Sequence, residues 1–159
     1  MLTINILCCG KIKEQYLKDA INEYSKRLSK YCKLNIIELS DESVPDKLSD
    51  TLIDSIKNKE AEKMITKLEN TYVICCDLKG KNYSSEEFSQ KLDKLKLDGI
   101  SNITFVIGGT LGIGEKVLEK ADEKICFSKM TFPHQLMRVI LLEQLFRGFK
   151  ISNNETYHR

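Results

Sequence analysis

The spacing of hydrophobic residues alternates along the chain between two periods, one typical of strands and one typical of helices. Short apolar or alternating runs predict five strands, at residues 2–9, 33–39, 72–78, 103–107 and 124–127. Apolar residues three and four positions apart predict helices over residues 13–29, 49–69, 85–97, a short one ending at 121, and 133–149. Strands that alternate with helices indicate an α/β fold with a mainly parallel sheet and helices on both faces.

Several residues mark where these elements begin and end. Gly10 and Gly80 are predicted to close the first and third strands. Ser84 and Glu87 have the spacing of a capping box, which predicts a helix start at about residue 85. Pro133 is predicted at the first position of the last helix, with Thr131 or Phe132 as its cap, because a missing N–H costs nothing there.

The last helix is apolar on all sides, which predicts that it is buried on all sides. In a chain of 159 residues, one side can pack on the sheet and the other on a second copy of the protein. We therefore expect a homodimer. The alternative is a monomer in which this helix lies at the centre of the core.

Composition predicts a single globular domain. Hydrophobic residues make up 42% of the chain and charged residues 30%, as in ordinary soluble proteins. Arg138, Glu143 and Arg147 interrupt the most apolar stretch, so we expect a cytoplasmic protein without a membrane span. The six cysteines form no CxxC pair and no metal-ligand spacing, which predicts buried, reduced thiols and no metal site.

Charge is distributed unevenly along the chain. Residues 11–33 carry seven Lys and Arg against three acids, and residues 124–159 carry six against two, whereas the middle is acidic. If the fold brings the two ends together, they form a basic face suited to phosphate backbones. The alternative is an ordinary solvated charge pattern.

A glycine-rich segment, GGTLGIG at residues 108–114, follows the fourth strand. It is not a Walker loop, because Glu115 replaces the required lysine, and it lacks the third glycine of a dinucleotide-binding fingerprint. Ligands of open α/β sheets bind at the carboxyl ends of the strands. The segment therefore predicts a nucleoside-like ligand held by main-chain groups, with a tight strand-to-helix turn as the alternative.

Only two histidines are present. His134 lies in the first turn of the last helix, near Lys129 and Arg138, and His158 is next to the C-terminus. These are the side chains whose ordinary pKa lies closest to neutrality. Composition alone predicts that the hydrophilic tail, residues 152–159, is a frayed end.

Several blocks of the sequence resemble the RlmH family of bacterial ribosomal RNA methyltransferases. The resemblance covers the whole chain, in order, through GKIKEQY, DLKGKNYSS, FVIGGTLGIG, FSKMTFPHQLMRVILLEQLFR and the final YHR. It implies a SPOUT-type α/β knot with a C-terminal trefoil knot, and a homodimer. It further implies methylation of N3 of a pseudouridine in 23S rRNA, on the assembled ribosome, with S-adenosyl-L-methionine as the methyl donor.

The resemblance also implies roles for individual residues. The expected cofactor contacts lie at the ends of three strands and are Cys76, Gly108, Phe127, Ser128, Lys129, Met130, Thr131 and Phe132. We expect His158 to remove the N3 proton, with His134 as a competing base and a possible RNA contact. Tyr157 and Arg138 complete the predicted catalytic set. Arg147 and Arg159 are predicted to hold RNA phosphates or the developing anion.

Two other classes of function fit parts of the sequence. A non-catalytic ribosome- or RNA-binding assembly protein would use the basic ends alone and would not bind S-adenosyl-L-methionine. A flavin- or nucleotide-binding domain would use the glycine-rich segment.

Overall fold

The predicted strands form one parallel sheet in the computed structural model, which describes residues 1–159. The strands are β1 Thr3–Cys9, β2 Lys33–Leu39, β3 Tyr72–Asn82, β4 Asn102–Ile107 and β5 Glu123–Cys126. All four strand pairs are parallel, and the order across the sheet is β2-β1-β4-β3-β5. The predicted α/β class with a parallel sheet is confirmed.

Helices cover both faces of the sheet. They are α1 Gln15–Leu28, α2 Asp50–Ile65, α3 Ser85–Leu97, α4 Glu115–Lys120 and α5 His134–Ser152. One face is covered by α1, α3 and α5 over a core of 19 buried residues, and the other by α2 and α4 over a core of 10. The face that carries α5 therefore holds the larger core.

The central strands are apolar throughout because both of their sides are covered. In β1, Ile4, Ile6 and Cys8 belong to the core under α5, whereas Leu7 and Cys9 belong to the core under α2. All six cysteines are free, and five are buried. Burial raises the pKa of the Cys8 thiol to about 11 and that of Cys9 to about 12, so these side chains pack as small apolar groups.

The prediction that Gly80 ends the third strand is wrong. β3 pairs with β5 through Cys76 and Ile125, bulges, and pairs again through Lys81 and the same Ile125. A Cβ atom at Gly80 would lie 2.6 Å from the backbone of Ile125. Glycine is needed here for close approach of two chains. The predicted C-terminal trefoil knot stays a prediction.

The start of α5 also differs from the prediction by one position. Pro133 is the N-cap residue, with an extended ψ of 135°, and no side chain caps the helix. Neither Thr131 nor Phe132 takes the cap position. The single chain covers α5 unequally: Leu142 is fully buried, but Leu136 is 36% exposed. The predicted homodimer stays a prediction. None of the helices combines the length and the hydrophobicity that a membrane-spanning helix requires.

Candidate active site at the carboxyl edge of the sheet

Strand register brings the three predicted cofactor segments to one edge of the sheet. Cys76 pairs with Ile107 of β4 on one side and with Ile125 of β5 on the other. Gly108 follows Ile107 directly, and the segment 127–133, here called the elbow, follows β5. Burial raises the pKa of the Cys76 thiol, so this side chain is a neutral packing group.

The glycine-rich segment is a tight, self-packed loop. Gly112 donates to the carbonyl of Gly109 at 3.1 Å and has a φ of 92°, in the region that favours glycine. A Cβ atom at Gly108 would lie 2.5 Å from the carbonyl carbon of Gly112. The tight-turn alternative is therefore correct for this backbone, and any ligand role is additional to it.

The elbow is held in shape by a few short bonds. Asn82 donates from Nδ2 to the carbonyl of Cys126 at 2.9 Å, and the thiol of Cys126 donates to the carbonyl of Ser128 at 3.0 Å. Ser128 Oγ accepts from the N–H of Met130 at 3.0 Å. No backbone hydrogen bond engages the main-chain N–H groups of Lys129, Thr131 and Phe132, so these donors remain free for a ligand.

A cavity of about 360 Å³ lies between the elbow, the start of α3 and one side of α5. Its walls are mostly apolar and aromatic. They are formed by Tyr83, Ser84, Ser85, Phe88, Ile125, Cys126, Phe127, Phe132, Ile140 and Gln144. Cys76 and Gly108 lie at the same edge of the sheet but outside these walls. Of the predicted cofactor residues, the cavity therefore brings together Phe127 and Phe132.

Arg138 is buried, which conflicts with a direct role in holding RNA. Its side chain is 1% exposed, and its Nη1 donates to Glu38 Oε2 at 2.6 Å. Its Nη2 donates to the carbonyls of Cys9 and Gly10 at 2.9 and 2.7 Å. In this chain the guanidinium does not reach solvent. Its hydrogen bonds link α5 to the ends of β1 and β2, so its role is to position the start of α5.

His134, the predicted competing base, lies next to this buried arginine. Its Nδ1 atom is buried without a hydrogen-bond partner. Burial, and then the nearby charge of Arg138, lower the pKa of His134, partly offset by Asp41. The ring is therefore neutral at pH 7.

The tail is ordered, so the prediction of a frayed end from composition is wrong. Asn154 turns the chain with a φ of 53°, and Glu155 then accepts from Lys150 Nζ at 2.8 Å and from the Tyr31 hydroxyl at 2.9 Å. The ring of Tyr157 packs edge-on against Phe146, with centroids 4.9 Å apart. These contacts fold the tail back onto α5 and onto the turn after α1.

His158 is held between α3 and α5. Its Nε2 lies 2.6 Å from Glu86 Oε1, and its Nδ1 lies 3.1 Å from Arg147 Nη1. Hydrogen bonds, from its own backbone N–H and then from His158, lower the pKa of Glu86. Arg147 also donates to Glu143 at 2.9 Å, and its guanidinium lies 4.8 Å from the Tyr157 ring. Arg159 is exposed and forms no ion pair.

The fold does bring the two basic ends of the chain together, because α1 packs against α5. Many of the charges there are paired within the chain. Arg27 binds Glu23 at 3.1 Å, and Lys30 and Lys150 both lie within salt-bridge distance of Glu155. The basic face is therefore weaker than the residue counts suggest.

Some residues of this region were not predicted. Tyr83, Ser85 and Gln144 line the cavity, and Glu86 and Glu143 hold His158 and Arg147. The capping box places Ser85 and Glu86 at a helix start, which is a detectable signal. Gln144 has no local signal, because only tertiary packing directs it toward the cavity.

Solved structures share this fold. A probable methylase family protein from Haemophilus influenzae aligns with a TM-score of 0.55 and 11% identity, over 98% of this chain and 70% of that one. A putative methylase family protein from Neisseria gonorrhoeae aligns with a TM-score of 0.50 and 9% identity, over 98% and 86%. At these identities the likeness concerns the fold alone.

Sequence comparison is more specific. The family model described as "Predicted SPOUT methyltransferase" matches residues 2–158. A protein of Clostridium acetobutylicum named "Ribosomal RNA large subunit methyltransferase H" is 57% identical over 99% of this chain and 100% of its own length. A protein of Clostridium kluyveri with the same name is 54% identical, with the same coverage. The chain therefore belongs to the SPOUT methyltransferases and, among them, to the RlmH family.

Proposed function

We propose that the protein transfers a methyl group from S-adenosyl-L-methionine to N3 of a pseudouridine in 23S rRNA, on the assembled ribosome. Relatives that match the chain along its full length are named as methyltransferases of the large-subunit ribosomal RNA. A ribosomal substrate implies that the protein works in the cytoplasm. The resemblance of the elbow and tail motifs to the RlmH family supports the choice of base and atom.

One observation carries the proposal: the residues that hold His158 of the tail stand next to, or one helical turn from, residues that line the elbow cavity. Phe127 and Phe132 form part of the cavity wall. His158 is held by Glu86, which follows the wall residue Ser85, and by Arg147, one turn beyond the wall residue Gln144. The partners of His158 thus adjoin two residues of the cavity wall, Ser85 and Gln144, and the same wall contains Phe127 and Phe132 of the predicted cofactor segment.

The elbow has the chemistry needed to hold the cofactor. Aromatic rings at Phe127 and Phe132 suit an adenine, and the free main-chain donors of Lys129 and Thr131 suit its ring nitrogens and ribose oxygens. The backbone of Gly112 packs directly against Gly108, so there is little space beside the end of β4. When bound, the cofactor supplies a methyl group on a positively charged sulfur, which is the electrophile of the reaction.

The chain must remove a proton and stabilise charge. The N3–H proton leaves to a base, the N3 lone pair forms the new C–N bond, and the carbon–sulfur bond breaks with its electron pair on sulfur. Arg147 can only donate, so the neutral His158 ring accepts at Nδ1 and carries its proton on Nε2, toward Glu86. His158 Nδ1 is then the proton acceptor once the substrate displaces Arg147, whose guanidinium faces the developing anion.

The homodimer belongs to the same proposal. Leu136 is 36% exposed, and Val139, three residues further along α5, is half-buried, so this side of the helix can be covered by a second copy. Leu142 and Phe146 are core residues at 0% and 6% exposure and cannot test an interface. We expect the wild type to sediment as a dimer and Val139→Glu to sediment as a folded monomer. A wild type that is monomeric at micromolar concentration would contradict this.

The function is tested on ribosomes that lack the modification. The protein is incubated with them and with methyl-labelled S-adenosyl-L-methionine, and the labelled nucleotide is mapped in the RNA. We expect one labelled pseudouridine in 23S rRNA. Calorimetry that detects no cofactor binding, together with ribosome binding but no transfer, would indicate a non-catalytic assembly protein instead.

A further inference from the structure

The elbow cavity combines the two features that hold a nucleobase. Tyr83 and Phe88 supply aromatic surface, against which a planar base can stack, while Phe127 and Phe132 are left to the cofactor. Hydrogen-bonding side chains enter from two different helices, Ser85 at the start of α3 and Gln144 on α5. A volume of about 360 Å³ lies at the lower end of the range of small-molecule sites, which is roughly 300–1,000 Å³.

The polar pair is oriented by its own hydrogen bonds. Ser85 Oγ donates to Gln144 Oε1 at 2.7 Å, and Gln144 Nε2 donates to Glu143 Oε1 at 2.9 Å. These two bonds determine which end of the amide carries the donors. One N–H of Gln144 and the lone pairs of Ser85 Oγ then remain for a ligand. Glu143 is itself paired with Arg147, so its charge is balanced.

This arrangement matches a uracil-type base better than a cytosine. In uracil and pseudouridine, two ring carbonyls flank N3–H, and the free N–H of Gln144 can donate to one of them. When N3 loses its proton, the negative charge spreads onto these carbonyls, so the bond from Gln144 becomes charge-assisted and stronger. Cytosine keeps the carbonyl at C2 but has an amino group at C4, so a Gln144 donor directed at C4 would face another donor.

We infer that the elbow cavity is the subsite for the target base, and that Gln144, oriented by Ser85 and Glu143, reads its carbonyl. The inference rests on the proposed function and adds the recognition of the base to it. Cys76 and Gly108, which are expected to contact the cofactor, lie outside the cavity wall. In this arrangement the cavity borders the proposed cofactor site through Phe127 and Phe132, and its opposite walls, with Ser85 and Gln144, contact the base.

Gln144→Glu is the direct test, because it keeps the shape of the side chain and removes its donors. Gln90→Glu is the matched control, since Gln90 is an exposed residue of α3 outside the cavity. For Gln144→Glu we expect kcat/KM on ribosomes to fall roughly 10- to 100-fold, with cofactor affinity within about twofold of wild type. The control variant should match the wild type in both measurements.

A second measurement uses free nucleosides as competitors of methyl transfer. Uridine and pseudouridine should inhibit the wild type more strongly than cytidine does, and Gln144→Glu should lose this preference. Ser85→Ala should weaken it by a smaller factor, and it gives the answer if Gln144→Glu fails to fold by circular dichroism.

Three outcomes would overturn the inference. Transfer by Gln144→Glu at the wild-type rate would mean that the side chain does not meet the base. A loss of cofactor affinity equal to the loss of transfer would assign the cavity to the cofactor. No transfer by the wild type to unmethylated ribosomes would contradict the proposed function itself, and this subsite with it.

Discussion

Each end of α5 carries an arginine that was predicted to take part in the reaction or to hold RNA. The two arginines differ in their burial and in their hydrogen-bond partners. Arg138, near the start of the helix, is 1% exposed and is bonded to Glu38 and to two carbonyls at the end of β1. Arg147, nine residues later, is 25% exposed and is bonded to Glu143 and His158. Arg138 therefore contacts the ends of core strands, whereas Arg147 contacts a residue of the tail.

The exposed fraction of each arginine indicates whether its role is structural or chemical. A buried guanidinium whose donors point at carbonyls stabilises the fold, and it acts on the reaction only by fixing where α5 begins. A partly exposed guanidinium that is bonded to a histidine and a carboxylate can change partners when RNA binds. We therefore expect substitutions at the start of α5 to affect stability and those at its end to affect transfer.

The largest effect is expected from Arg138→Met. The change removes the donor of the Cys9 and Gly10 carbonyls and leaves Glu38 with only the N–H of Ile12. Breaking a fully buried pair costs about 3–5 kcal/mol, and because Glu38 is 32% exposed we expect a loss at the lower end of that range. The free energy of unfolding from urea titration measures this loss. Arg147→Met is the matched control and should cost about 1 kcal/mol or less. Equal losses in the two variants would remove the distinction between the two ends.

The next effect concerns the tail. A chain that ends at Asn154 loses the contacts of Glu155, Tyr157 and His158. We expect methyl transfer to ribosomes to fall by roughly 100-fold or more, in the range of a lost general base, while calorimetry finds nearly unchanged cofactor affinity. The free energy of unfolding should fall by about 1–2 kcal/mol, because Tyr157 no longer packs on Phe146.

The single substitution His158→Gln separates chemistry from packing in that tail. It should lower transfer nearly as much as the truncation does, with most of the stability retained. Transfer at the wild-type rate by the truncated chain would mean that the base lies elsewhere, with His134 as the first candidate.

Gly108→Ala tests the carboxyl edge beside the buried end of α5. A methyl group there would meet the Gly112 carbonyl carbon at 2.5 Å, so the loop must shift. We expect cofactor affinity to fall roughly tenfold, and the free energy of unfolding to fall by more than it does in the control, because the atoms that must shift are backbone. Gly148→Ala is the control, because its methyl group would make only an ordinary contact of 3.4 Å with Leu92. Unchanged binding by Gly108→Ala would show that the loop lies away from the cofactor.

The smallest effect is a pH dependence that distinguishes the two histidines. The pKa of His134 is lowered from its ordinary value of about 6.5, so the unfolded chain binds the proton more tightly than the folded one. This contribution to stability is complete above about pH 6.5 and is lost as pH falls through the folded pKa. We expect His134→Gln to remove that part of the pH profile of unfolding, and His158→Gln to leave it in place. Identical profiles in the wild type and His134→Gln would contradict the burial argument.

Much of the fold could be predicted because its signals are local. The boundaries of α3 follow from the capping box of Ser84 and Glu87, and all five strands lie within one or two residues of their predicted starts. The exception is Gly80, where a glycine between polar residues is typical of a strand end. Its actual role is to let β3 pass the backbone of Ile125, a residue 45 positions later, and local patterns carry no such information.

The sequence by itself determined which segments become strands and helices, since periodicity and caps act within a few residues. Its specific blocks also determined the family, through the elbow and the final Tyr157, His158 and Arg159. Only the tertiary structure decided the strand order β2-β1-β4-β3-β5, the burial of Arg138 and the docking of the tail. These depend on contacts between separate elements of the chain, such as Ile4 with Ile103 and Glu86 with His158, whose partners are chosen by packing and charge in the folded chain.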